Sequence, residues 1–171
     1  MLVIAATERE LAHVRRFETH VCGIGPVEAA ISVTQALADR RPDGVLHVGI
    51  AGARAIEPLS VVLGSEAIYC DIEARIPVVD RVSPDAALFA RVHAALPAAH
   101  VLPIGTSAAV GGASGCEVEA MEGFGVLRAC ATAGVPAVEL RVVSNRFGET
   151  EWRFEEAFEA LGAALDRLDV V

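Results

Sequence analysis

The sequence contains no lysine: all 14 basic residues are arginine, set against 23 acidic ones, and the net charge is −9. No Lys/Arg stripe can be found along it, which argues against nucleic acid as a partner. Aromatic residues are scarce, at 5%, although hydrophobic residues reach 53%. The core must therefore be built from Ala, Val, Leu and Ile, a composition suited to a sheet covered by helices. The cysteines, Cys22, Cys70, Cys116 and Cys130, form no CxxC pair and no zinc-finger spacing with histidine. Their apolar neighbours predict buried free thiols in a reducing compartment. No apolar run approaches the roughly 18 residues of a membrane span. The opening "MLVIAATERE" holds about six apolar residues before charge appears, too few for a secretory leader. These absences predict a cytoplasmic protein with no membrane contact.

Catalytic signatures are also missing. There is no P-loop, GxSxG elbow or HExxH. "GIGPVEAA" begins like a dinucleotide fingerprint, but Glu28 stands where the third glycine should be. The five histidines are dispersed, and His47, midway along an apolar strand, reads as a satisfied core residue. A histidine-based mechanism is not expected.

What is present is an alternation of apolar strands and amphipathic helices. "MLVIAA", "THVCGIG", "GVLHVGIAG", "SVVLGSEAIYCDI", "HVLPIGTSA" and "VELRVVSN" read as strands. "TERELAHVRRF" reads as a helix with Thr7 as N-cap and Glu10 at the capping-box position, with Leu11, Val14 and Phe17 on one face. "PVEAAISVTQALADR" opens with Pro26 at a first helical position. "SPDAALFARVHAAL" is read as capped by Ser83, "EAMEGFGVLRACATAG" as closed by Gly134, and "EEAFEALGAALDRL" as a last helix. The pattern predicts one α/β domain over residues 1–171: three α/β/α layers around a mixed, mostly parallel sheet.

In such sheets ligands bind outside the carboxyl ends of the strands. Three polar residues fall there: Glu10, Glu122 and Asn145. Singly, each has a structural reading. Glu10 can close its capping box, Glu122 can sit at a solvated helix start, and Asn145 can be a turn residue. Together they bring two carboxylates and an amide to one sheet edge. "AAVGGASG", from Ala108 to Gly115, is a flexible stretch at a strand end and a candidate site loop.

In order, the blocks "AATERE", "GIGPVEAA", "DGVLHVGIAG" and "EAMEGFGVLRACATAGVPAVELRVVSN" resemble those of the nucleoside phosphorylase and nucleosidase superfamily. "GIAG", "MEG" and "SN" with the downstream Trp152 are similar to its futalosine hydrolase group. The resemblance implies that Glu10 deprotonates the attacking water and that Glu122 accepts from the ribose hydroxyls. It implies that Met121 packs on the ribose, that Ala51 and Gly52 flank the purine, and that Asn145 contacts N7 and the 6-substituent. Adenine-specific members carry Asp at that last position; an Asn nitrogen can donate to both acceptors of a 6-oxopurine. The implied reaction is hydrolysis of futalosine to hypoxanthine and dehypoxanthinyl futalosine on the way to menaquinone. No metal or organic cofactor is implied, and members are usually dimers or larger. Phosphorolysis, methylthioadenosine/adenosylhomocysteine hydrolysis and non-catalytic nucleoside binding remain alternatives. Relative to the family, Ile72 to Pro84 and Thr106 to Ala120 are short. Arg54 and Arg146 are candidates to meet a carboxylate-bearing tail, or plain surface arginines.

Overall fold

The computed structural model describes residues 1–112 and 114–168. Eight strands run as β1 (Leu2–Ala5), β2 (Glu18–Val21), β3 (Val45–Ala53), β4 (Val61–Tyr69), β5 (Arg81–Val82), β6 (His100–Thr106), β7 (Val118–Ala120) and β8 (Ala137–Arg146). Five helices intervene: α1 (Glu8–Leu11), α2 (Pro26–Asp39), α3 (Ala86–Ala95), α4 (Gly123–Ala133) and α5 (Phe154–Asp166).

The sheet is mixed. β1 pairs in parallel with β2 and β3, and β3 in parallel with β8. β4 lies antiparallel to β8 and parallel to β6, β6 parallel to β7, and β7 antiparallel to β3. This path closes on itself: β3, β8, β4, β6 and β7 form a ring, from which β1, β2 and β5 extend. Ala51, Ala53, Val62, Ile104, Val118 and Val143 cluster together on these strands.

Helices cover both faces. Val3, Leu46, Val48, Leu140 and Val142 pack with residues of α3 and α5 such as Leu88, Val92 and Leu161. Leu2, Ile4, Val45 and Ala137 pack with Ala29, Val33, Val126 and Cys130 of α2 and α4. The alternation along each strand thus feeds two separate cores.

Several elements differ from expectation. The helix predicted from Thr7 to Phe17 is a single turn. Leu11, Val14 and Phe17 still reach the core, but the last two do so from irregular chain. The cap of α3 is Asp85, whose carboxylate accepts from Leu88 N–H at 2.8 Å, rather than Ser83. The short strands β5 and β7 were not anticipated. Pro26 does open α2, and Gly134 closes α4 in the left-handed region at φ 69°. Cys22 and Cys130 are buried free thiols, with burial pushing both up to about 12; Cys70 and Cys116 are only half-buried. Among the described residues no helix is long and apolar enough to cross a membrane.

Candidate active site

Glu10 is placed by the shortest helix. Thr7 Oγ1 accepts from Glu10 N–H, and Glu10 Oε2 accepts in return from Thr7 N–H and Oγ1–H, both at 3.0 Å. The capping box therefore forms, but it uses one oxygen. The other, Oε1, accepts from Ile50 N–H of β3 at 3.1 Å. Cap and pocket wall are two ends of one carboxylate. Burial raises the Glu10 carboxyl above its usual range, while Arg141, the Ile50 N–H and Thr7 pull it back.

Glu122 stands at the start of α4 but does not cap it. It is 4% exposed, so the solvated-helix alternative fails. Its Oε1 accepts from Gly25 N–H at the entrance of α2 at 3.1 Å, and Oε2 lies 3.5 Å from Arg141 Nη2.

Asn145 reaches the edge through an irregularity in the β3–β8 pairing. Ala51 faces Val143 but Gly52 faces Asn145, leaving Ser144 bulged out. A bulge re-aims the side chains around it. Ser144 Oγ–H donates to Asn145 Oδ1 at 2.9 Å, and Asn145 Nδ2 donates to the Arg146 carbonyl at 3.1 Å. Of the two amide hydrogens one is thereby committed and one is left for a ligand.

Glu10, Ala51, Gly52, Met121, Glu122 and Asn145 all line one cavity of about 330 Å³. Phe147, Trp152, Phe154 and Phe158 supply its aromatic wall, and Ala109 to Gly111 of the candidate loop close another side; Ala113 of that loop lies outside the described residues. The size and mixed lining suit a small ligand. A larger groove of about 570 Å³ between α2 and α4 contains none of these residues and no carboxylate.

Two arginines proposed for a ligand tail lie elsewhere. Arg54 donates to the backbone carbonyls of Ser114 and Cys116 and stacks 5.2 Å from Phe147, while Arg146 pairs with Glu57. The arginine that does line the cavity is Arg9, paired with Glu155 and 5.3 Å over the Phe158 ring.

Sequence reasoning missed the group that joins the two carboxylates. Arg141, fully buried in β8, donates from Nε to Glu139 Oε1 at 2.8 Å and from Nη2 to His47 Nε2 at 2.5 Å. Glu10 and Glu122 both lie in its electrostatic reach. His47 is satisfied, as expected: Nδ1 faces the Ile4 carbonyl at 3.1 Å, and burial with the adjacent guanidinium holds the ring neutral, well below its usual range. The available signal was two opposite charges at alternate positions of an otherwise apolar strand.

A buried carboxylate beside an open cavity can take a proton from water, and an amide donor on another wall can stabilise charge on a departing group. Known proteins resemble this chain in sequence and fold. A futalosine hydrolase of Streptomyces coelicolor is 37% identical over 180 residues, covering 85% of this chain and 75% of the relative. The native structure of a futalosine hydrolase of Helicobacter pylori superposes with a TM-score of 0.86 at 14% identity, covering 98% of this chain and 95% of that one. A 5'-methylthioadenosine/S-adenosylhomocysteine nucleosidase of Neisseria meningitidis, in complex with methylthio-immucillin-A, gives 0.81 at 19% identity, covering 98% and 95%. The family profile described as Phosphorylase superfamily matches residues 19–169, and on that extent the chain belongs to the phosphorylase superfamily.

Proposed function

We propose that this chain hydrolyses the N-glycosidic bond of a 6-oxopurine nucleoside, and that futalosine is the substrate, yielding hypoxanthine and dehypoxanthinyl futalosine. The observation that carries the reading is the convergence of Glu10, Glu122 and Asn145 on one cavity at the carboxyl ends of the strands. The Streptomyces coelicolor relative supports the choice of futalosine.

In this mechanism Glu10 takes the proton of a water held beside it, its own oxygens fixed by Thr7 and Ile50. Such a base contributes about 10²–10⁴-fold. Glu122, held by Gly25 N–H, accepts from the ribose hydroxyls, contacts that strengthen as the sugar becomes oxocarbenium-like. Ala51 and Gly52 flank the base, and Met121 packs on the sugar. The remaining amide hydrogen of Asn145 donates to the leaving purine, stabilising it as it departs.

Hydrolysis is favoured over phosphorolysis by charge. Arg9, already paired with Glu155, is the arginine on the cavity lining, while Glu10, Glu119 and Glu122 are anionic neighbours for a phosphate. The reaction is tested by following base release from futalosine, inosine and methylthioadenosine in phosphate-free buffer. Hypoxanthine from futalosine, at a rate unchanged by added phosphate, is the expected result. Adenine from methylthioadenosine as the main product would defeat the Asn145 assignment. No turnover with tight nucleoside binding would favour a binding protein.

The same reading makes the chain a cytoplasmic homo-oligomer. The α2–α4 groove, with Val27 65% and Ile31 51% exposed, supports association between copies, which sedimentation would test.

A further inference from the structure

Strand β8 buries two opposite charges completely, Glu139 and Arg141, at alternate positions and so on one face. On β3 their register partners are His47 and Gly49. Five polar groups surround the guanidinium: Glu139 on its own strand, His47 and the Ile50 carbonyl on β3, Glu122 at the start of α4, and Glu10 on α1. On β4, on the other side of β8, Val62 is the register partner of Arg141 and Gly64 lies against Glu139, and neither carries charge. His47 cannot share the positive charge, because its Nδ1–H is directed at Ile4 and its Nε2 accepts from the arginine.

The charged contacts are graded. Nε meets Glu139 at 2.8 Å, while Nη2 stands 3.5 Å from Glu122. Glu139 Oε1 makes that contact, and Oε2, buried against Gly123, has no hydrogen-bond partner among the described residues. An amide oxygen could also accept from the Nε–H, though without charge assistance. What a carboxylate adds at this position is charge. Without it, Glu10 and Glu122 would face an undiluted guanidinium, and a carboxylate so placed is a weak base. A base acting on water works best near the operating pH.

Resting on the hydrolytic reading above, we propose that Glu139 is a positioning residue of the site: the principal counter-ion of Arg141, it aims the guanidinium at Glu10 and Glu122 while offsetting the charge those two carboxylates feel. Glu139 never touches substrate. It fixes the guanidinium through Nε, while Nη2 reaches His47 and Glu122 and Nη1 turns to the Ile50 carbonyl beside Glu10, so that Glu10 feels the cation without losing its basicity.

The test is a titration of Glu10 in the ligand-free protein, by ¹³C NMR of carboxyl-labelled glutamate, its signal assigned by loss in Glu10→Gln. In Glu139→Gln the Glu10 midpoint falls by about one pH unit, and the acid limb of kcat/KM on futalosine moves the same way. A merely structural Glu139 lowers the melting temperature and leaves the midpoint in place, which overturns the proposal. If Glu139→Gln does not fold, Glu139→Asp draws the charge back by one methylene and shifts the midpoint the same way by less; no shift there is equally fatal. The titration needs no turnover, so a wild-type protein inert to every nucleoside defeats the hydrolytic reading while the midpoint still decides the counter-ion role.

Discussion

Gly49 of β3 and Arg141 of β8 are register partners, and the guanidinium of Arg141 fills the space that a side chain at position 49 would take. Glu10 Oε1 crowds the same space from the other side. The glycine is the opening through which a group on α1 and a group on β8 come together.

Gly49→Ala closes that opening. Its Cβ would fall on Arg141 Nη1 and Glu10 Oε1, so both must retreat. The expected cost is about 1–3 kcal/mol of stability, as for other overpacked sites, with kcat/KM reduced at least roughly tenfold because the proposed base, Glu10, is displaced. Urea denaturation and initial rates on the same preparation check both.

Glu10→Gln separates the two duties of this side chain. Glutamine has one acceptor oxygen, so it keeps either the bond from Thr7 or the bond from Ile50 and turns its NH2 toward the other donor. The unpaired donor should cost about 1–3 kcal/mol of stability, while kcat falls about 10²–10⁴-fold, far more than that loss explains. In the wild type the base must be ionised, and burial raises its carboxyl. Activity is therefore lost, on acidification, at a pH above the ordinary glutamate range. A rate profile flat through that region would exclude Glu10 as the base.

Asn145→Asp changes the pattern offered to the purine. A protonated aspartic acid donates once and accepts once, which suits N7 and a 6-amino group, whereas the one free amide hydrogen of Asn145 suits an acceptor on the base. The preference for hypoxanthine over adenine nucleosides should drop by about 10- to 100-fold, the equivalent of about 1–3 kcal/mol for a mispaired buried group. Parallel chromatography of the released bases gives the ratio directly.

Arg141→Met removes the shared cation. Breaking a buried ion network from one side costs about 3–5 kcal/mol. The cost depends on pH. Burial raises Glu10 and Glu139 and Arg141 opposes this in both, so without the arginine both rise further. A carboxyl whose folded value exceeds its unfolded one favours folding fully below the unfolded value and loses that contribution as pH rises through the folded one. The stability gap from wild type should therefore be smallest in acid and widen toward neutrality. A gap that narrows instead would show that the carboxylates are not the groups Arg141 supports.

The layering and the strands of the core were legible in the sequence because apolar runs and alternation report burial directly. Glu10 and Asn145 could be brought to one edge because each lies at the carboxyl end of a readable strand, whereas Glu122 follows β7, which was not readable, and was placed from the start of its helix. Phe17 shows the limit: its spacing from Leu11 and Val14 fits a helix, yet irregular chain delivers it to the same core. β7, at three residues, is too short to have a period, and its place depends on partners far along the chain. Arg141 was passed over because a charge within a strand ordinarily marks a solvated face. Only the topology, which sets β8 between β3 and β4 with α4 above, shows that this face is covered.

The closure of five strands into a ring decides how this chain meets other copies of itself. With a mean hydropathy of +0.46, long open strands would invite edge-to-edge pairing. Among the described residues the path of strands ends at β2 and β5. β2 presents the exposed Glu18 and Thr19, and β5 is two residues long and begins with an arginine. Neither is a template on which a neighbouring strand could grow, so a very apolar sequence is protected from fibrillar association by the same closure that carries its polar residues to one rim.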